Sequence, residues 1–221
     1  MQTALQFGPI FIHFDRLLLG LWQTLQLSVL SIVFGTLIGG LGAVGRSFGP
    51  RWVSWSVAAY VELIRNTPLL IQLYFVFFSL PLFGLKLSSN VAAIVALSIH
   101  LGAYVTEILR AGIEAVPKGQ IEAAKALGLS RYRIIRHVVI VPAVRAVYPS
   151  LSAQFILQLM GTSIVGAIAA EELTAIANNL VMQTFRSFEV YILIAAIYFV
   201  VVQTASLVLA ALGRLLFRWK V

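Results

Sequence analysis

The charged residues that fall within apolar stretches of this chain are spaced at helical intervals. Glu62 and Arg65 lie three residues apart, and Glu107, Arg110 and Glu114 follow one another at three and four. On a helix such residues share a face. The chemistry on offer is ion pairing, since no nucleophile–base set and no metal-binding constellation accompanies them. A charge at mid-bilayer costs about 2.5–3.5 kcal/mol on insertion scales, so these side chains are expected to face a helix bundle and one another. The spacing fits either a lock between neighbouring helices or a network that breaks and re-forms during a conformational cycle.

A second set is polar without charge. Ser150, Gln154, Gln158 and Thr162 recur every four residues in an apolar stretch, with Gly161 and Ser163 beside its far end. Lipid gives such groups no partner. The stripe therefore faces either a water-filled path or another helix. Thr67 sits next to Pro68, which removes one helix hydrogen bond and frees the Ile64 carbonyl. Broken helices at the membrane midplane are where transporters often bind their cargo, although an ordinary kink fits equally well. His100 is expected to be a satisfied polar residue, and Gly35 with Gly39 to mark close helix packing.

The elements that must position these residues are membrane spans. Of 221 residues, 60% are hydrophobic and 11% charged, against about 25% charged in soluble domains. A span needs about 20 mostly apolar residues. Residues 17–44, 53–83, 91–113, 138–170 and 191–217 qualify, and the fold class expected is all-α with five transmembrane helices. There is no cysteine, hence no disulfide and no thiol chemistry. A cleaved signal peptide is not expected at the N-terminus.

Charge placement orients the spans. Arg46 and Arg51 follow the first span. Lys118, Lys125, Arg131, Arg133, Arg136 and Arg145 follow the third, and Arg214, Arg218 and Lys220 close the chain. Lys and Arg favour cytoplasmic loops, so the N-terminus is expected outside and the C-terminus inside. The net charge of +8 is then a topology signal and not a nucleic-acid footprint. In the stretch "IEAAKALGLSRYRIIRHVVIVP" (121–142), Gly128 suits the left-handed end of one short helix and Ser130 the cap of a second.

That stretch resembles the EAA loop of ATP-binding-cassette importer permeases, with Glu122, Ala123, Ala124 and Gly128 matching the motif. One residue more than usual separates the glycine from the proline, Pro142. "YVELIRNTPLLIQLYFVFFSLP", "AYVTEILRAGIEAVPKGQIEAA" and "FEVYILIAAIYFVV" resemble the polar amino-acid (histidine/glutamine/arginine-type) branch of that family. The resemblance covers nearly the whole chain from Leu18 onward. It implies an external segment over 1–16, a transmembrane domain over 17–217 with a coupling loop at about 115–137, and a cytoplasmic tail over 218–221. It also implies a site on a bacterial inner-membrane protein where Glu122, Ala123, Ala124 and Gly128 couple to an ATPase. Thr67, Gln154, Gln158, Gly161, Thr162 and Ser163 are candidates for the substrate path, and Glu62, Arg65, Glu107 and Arg110 for the charge network. A charged residue often stands near Gly161 in the family, so a strongly cationic substrate is not favoured here.

The chain has no G-x-x-x-x-G-K-[ST] phosphate loop, and no glycine is followed by lysine. It is therefore expected to be a transporter subunit and not an enzyme, with no cofactor of its own and with ATP and Mg on a separate ATPase chain. The partners implied are a second permease subunit (identical or paralogous), two ATPase subunits, an external amino-acid-binding protein and membrane lipid. An ion-coupled secondary carrier is the alternative. It would favour an inverted repeat and midplane acids, and neither is clear in the sequence.

Overall fold

The computed structural model describes residues 5–217 and is all-helical over that range. Residues 1–4 of the candidate external segment 1–16, and the whole candidate tail 218–221 with Arg218 and Lys220, lie outside the described residues. After a single turn at Gly8–Phe11, helix α1 runs Phe14–Phe48. Helix α2 is Arg51–Arg65, and α3 is the segment Leu69–Phe83, bent from α2 by 109°. Next come α4, Ser89–Glu114, and α5, Lys118–Ala126. The long α6 spans Arg131–Ile168. Helices α7, Leu173–Thr184, and α8, Ser187–Leu216, complete the chain. Among the described residues four helices are long and apolar enough to cross a membrane, and a fifth crossing results if α2 and α3 together form one broken span.

Glycine sets the central seam. A Cβ built on Gly35 would meet Leu101 at 2.8 Å, one on Gly39 would meet Val105 at 2.5 Å, and one on Gly42 would meet Thr106 at 2.4 Å. The paired numbers rise together, so α1 and α4 run parallel, as first and third spans of a serpentine chain must. The glycine spacing legible in the sequence thus serves packing within one chain. Helix α6 runs antiparallel to α4: Gly112 abuts Val147 and the Ala143 carbonyl at one end, and Gln158 reaches the Leu97 carbonyl at the other. Helix α8 lies outside α6, with the Tyr148 hydroxyl donating to the Leu209 carbonyl at 2.7 Å.

The structure decides one open alternative, and two segments depart from the sequence reading. At Pro68, where a broken helix and an ordinary kink were both open, the span over 53–83 is broken into two helices. The helix begun at Arg131 was expected to be short. It instead continues through a π-helical stretch at Ile134–Ile140 into the fourth span, with Pro142 in the first turn that follows. A π turn holds one residue more than an α turn, which is a place for the extra residue before Pro142. Helix α7 was not expected at all. Its apolar face, Leu173, Ile176, Ala177 and Leu180, packs with Leu17, Val190 and Ile194 into a second core.

The outer faces are apolar. Trp22, Val29, Val33, Leu37 and Leu41 on α1 are exposed, and α8 buries only Glu189, Val190 and Ile194. In water such a surface would drive aggregation, whereas in hydrocarbon it carries no penalty.

Replacing Gly39 by Val drives new carbon into Val105 and is expected to cost about 1–3 kcal/mol through overpacking. Gly40 has nothing within 4 Å of an added Cβ, so Gly40→Val serves as the control. Thermal unfolding in detergent should show a lowered midpoint for Gly39→Val and little change for Gly40→Val.

Candidate functional site

Three places bring the candidate residues together. The first is the loop at one end of the bundle. Helix α5 ends as its residues dictate: Gly128 takes φ +72°, and the Gly128 and Leu129 amides donate back to the Lys125 and Ala124 carbonyls. Ser130 caps the next helix by accepting the Arg133 amide. Ala124 turns inward and joins Val116, Ile134, Val139 and Ala143 in a small core. Glu122, Ala123 and Gly128 face outward. So does Leu127, 80% exposed, an apolar side chain at the tip of a polar loop that the motif did not single out. A cleft of about 430 Å³ lies behind α5, lined among others by Gln120, Leu129, His137 and Pro142.

The second is the charge network. Arg110 pairs with both Glu107 and Glu114, as the spacing within α4 predicts. Glu107 receives a further cation from α1, where Arg46 Nη1 lies 3.2 Å from Oε2. Arg65 of the second span was the other cation expected in this network. The structure instead stacks the Arg65 guanidinium over the Tyr104 ring, 5.5 Å from its centroid. Glu62, three residues before Arg65, accepts from the Asn66 amide at 3.1 Å. Glu107 therefore ties the first span to the third through Arg46, and Arg65 on Tyr104 ties the second to the third. Arg46 was legible only as a loop cation, because the parallel register that brings it to Glu107 is a tertiary fact.

The third is the stripe on α6. Gln158 is 3% exposed and Thr162 is fully buried. Gln158 Nε2 donates to Ser31 Oγ at 3.1 Å and to the Leu97 carbonyl at 3.0 Å. Thr162 Oγ1 donates to the Leu159 carbonyl of its own helix. Of the two readings open for the stripe, a path or a helix contact, these two side chains make the helix contact in this structure. Gln158 forms a polar seam joining α6 to α1 and α4, and Thr162 is buried with its hydroxyl returned to its own helix. Gln154, Gly161 and Ser163 remain partly exposed, and a side chain at Gly161 would meet only Leu69, at 3.7 Å. Thr67 donates to the Leu63 carbonyl at the α2–α3 break.

The structure also discloses Glu172, which the sequence reading left in a loop. It is fully buried and caps α7, accepting from the Thr174 and Ala175 amides at 2.8 and 2.6 Å. The Tyr198 hydroxyl of α8 donates to it at 3.0 Å. Glutamate is not a favoured capping residue, so residue type alone gave no signal.

An all-helical bundle with apolar outer faces, a broken second span and an exposed helical loop packed on its end is built as a polytopic membrane protein. Residues 31–219 match the family described as binding-protein-dependent transport system inner membrane components, and the chain belongs to that family. The glutamine transport system permease protein GlnP of Escherichia coli K12 is 36% identical over 198 residues, covering 88% of this chain and 90% of GlnP. The L-cystine transport system permease protein TcyB of Bacillus subtilis is 34% identical over 201 residues, covering 90% of this chain and 86% of TcyB. A solved amino acid ABC transporter with histidines superposes with a TM-score of 0.88 at 37% identity, covering 96% of this chain and 99% of that one.

The seam assignment is checked by thiol labelling, since the chain has no cysteine. Gln158→Cys and Thr162→Cys should be inert to small water-soluble thiol reagents, and Leu127→Cys should react readily. Fast labelling at position 158 would return the stripe to the path.

Proposed function

We propose that this chain is a permease subunit of an ATP-driven importer for polar amino acids, with α5 as the helix that couples it to an ATPase. The observation that carries this reading is the α5 loop. It is anchored by Ala124 and presents Glu122, Ala123 and Leu127 outward, which is the arrangement a docking helix needs. The similarity to permeases named for glutamine and L-cystine transport supports the substrate class.

The reading carries an orientation. The end of the bundle bearing Arg46, Lys118, Lys125 and Arg133 lies in the cytoplasm, and the end bearing Glu171 and α7 lies outside. Five crossings enclose little space, so a second permease chain completes the path, with an ATPase subunit under each. An external binding protein delivers the amino acid, and ATP and Mg act on the ATPase. The spans then alternate between inward- and outward-facing states. In this chain the path is assigned to the surface near Thr67, Gly161, Ser163 and Gln154. That surface offers hydroxyl and amide groups without fixed charge, which suits a neutral polar amino acid better than a cationic one.

The path and the coupling are tested separately. Gly161→Asp adds a carboxylate where space allows it, and uptake by the reconstituted complex should shift several-fold toward cationic amino acids. Unchanged selectivity would move the path elsewhere. For the coupling, Leu127→Cys should lose its thiol reactivity when the ATPase binds, and Glu122→Lys should lower uptake while the protein stays in the membrane. A Leu127→Cys thiol equally reactive with and without the ATPase would contradict docking at α5.

A further inference from the structure

Pro68 opens the backbone between α2 and α3, and the side chain of Gln72 closes it. Gln72 Nε2 lies 2.8 Å from the Ile64 carbonyl that the proline frees. It lies 3.0 Å from the Thr67 carbonyl and 2.9 Å from Thr67 Oγ1. Carbonyls only accept, so the NH2 of the amide must face the break and Oε1 must face away. Oε1 lies 3.0 Å from His100 Nδ1 on α4. An amide oxygen only accepts as well, so His100 carries its proton on Nδ1. The tautomer is set by backbone carbonyls one hydrogen bond further on.

Helix α4 also grips the other side of the break. The His100 ring packs on Tyr104, centroids 5.0 Å apart, and Tyr104 underlies Arg65, the last residue of α2. Two α4 residues one turn apart thus hold α3 through Gln72 and α2 through Arg65. Helix α4 then runs to Glu114, with only residues 115–117 between it and α5.

We propose that Gln72 is a positioning residue for transport: paired with His100, it makes the break in the second span follow α4, so that a displacement of α5 reaches Thr67. The inference rests on the importer reading for its purpose and on the hydrogen-bond geometry for its existence. Thr67 serves the Leu63 and Ile64 carbonyls from its own side of the break, whereas Gln72 is the donor that reaches the Ile64 carbonyl from α3 and ties the two halves together. With Gln72 in place the break is a fixed corner.

The test uses His100→Leu, Gln72→Leu and His100→Asn. Asparagine carries an amide nitrogen in the same bonded relation to Cβ as Nδ1, so it can donate to Gln72 where leucine cannot. Nitroxide labels on Leu63→Cys and Phe75→Cys, both exposed positions flanking the break, report the angle in the purified chain. The wild-type background and His100→Asn should give one narrow distance, and both leucine variants a broad or shifted one. In the reconstituted complex His100→Leu should lose about tenfold in uptake, the factor expected for one unmade hydrogen bond, Gln72→Leu should lose at least as much, and His100→Asn should restore uptake. Distances unchanged in both leucine variants would overturn the proposal, as would a His100→Asn variant as defective as His100→Leu. If the distances respond as stated but the wild-type complex imports nothing with ATP, the importer reading fails and the corner stands.

Discussion

Hydrocarbon offers a polypeptide backbone no hydrogen-bond partner, so each irregularity in a spanning helix must be answered from within the chain. The irregular places in this structure are answered one by one. The carbonyls freed at Pro68 are taken by Gln72 and Thr67. Pro142 lies in the first turn after a π stretch. Where α6 tightens near its end, Thr162 and Ser163 return their hydroxyls to the Leu159 and Met160 carbonyls. The start of α7 is held by a buried carboxylate that accepts two of its amides. What this bookkeeping leaves over is an exposed loop at one end and a few partly open polar groups.

Much of this was legible in the sequence. Apolar run lengths marked the spans, and the parallel register of α1 and α4 follows from a chain that crosses back and forth. Gly128 and Ser130 marked the turn after α5 because a left-handed position and a helix cap each demand few residue types. The Glu107–Arg110–Glu114 ladder held because it lies within one helix, where spacing alone decides who meets whom. Partners on different helices were not legible. Arg46 meets Glu107, and Arg65 meets Tyr104, through a register that only packing determines.

The polar stripe on α6 carries a different lesson. Serine and threonine in an apolar helix can satisfy themselves on the carbonyl three or four residues earlier, as Ser28, Ser98, Thr106 and Thr162 all do. Glutamine cannot close so neatly on its own helix, and Gln158 and Gln72 both spend their amides on neighbouring elements. A periodic polar stripe is therefore evenly poised between seam and path on sequence grounds. Each residue's partner decides it. Helix α7 escaped notice because its twelve residues are too short for a span, although Leu173, Ile176, Ala177 and Leu180 recur at helical spacing.

The central claim is that this bundle is moved by a partner's ATP and not by an ion gradient of its own. It is tested most directly by substrate uptake into proteoliposomes holding the chain with its co-purified ATPase, with the binding protein added outside. The account predicts that amino-acid uptake requires ATP and the binding protein together, and that ionophores collapsing proton and sodium gradients leave it intact. Uptake driven by an imposed ion gradient in vesicles lacking the ATPase would contradict it.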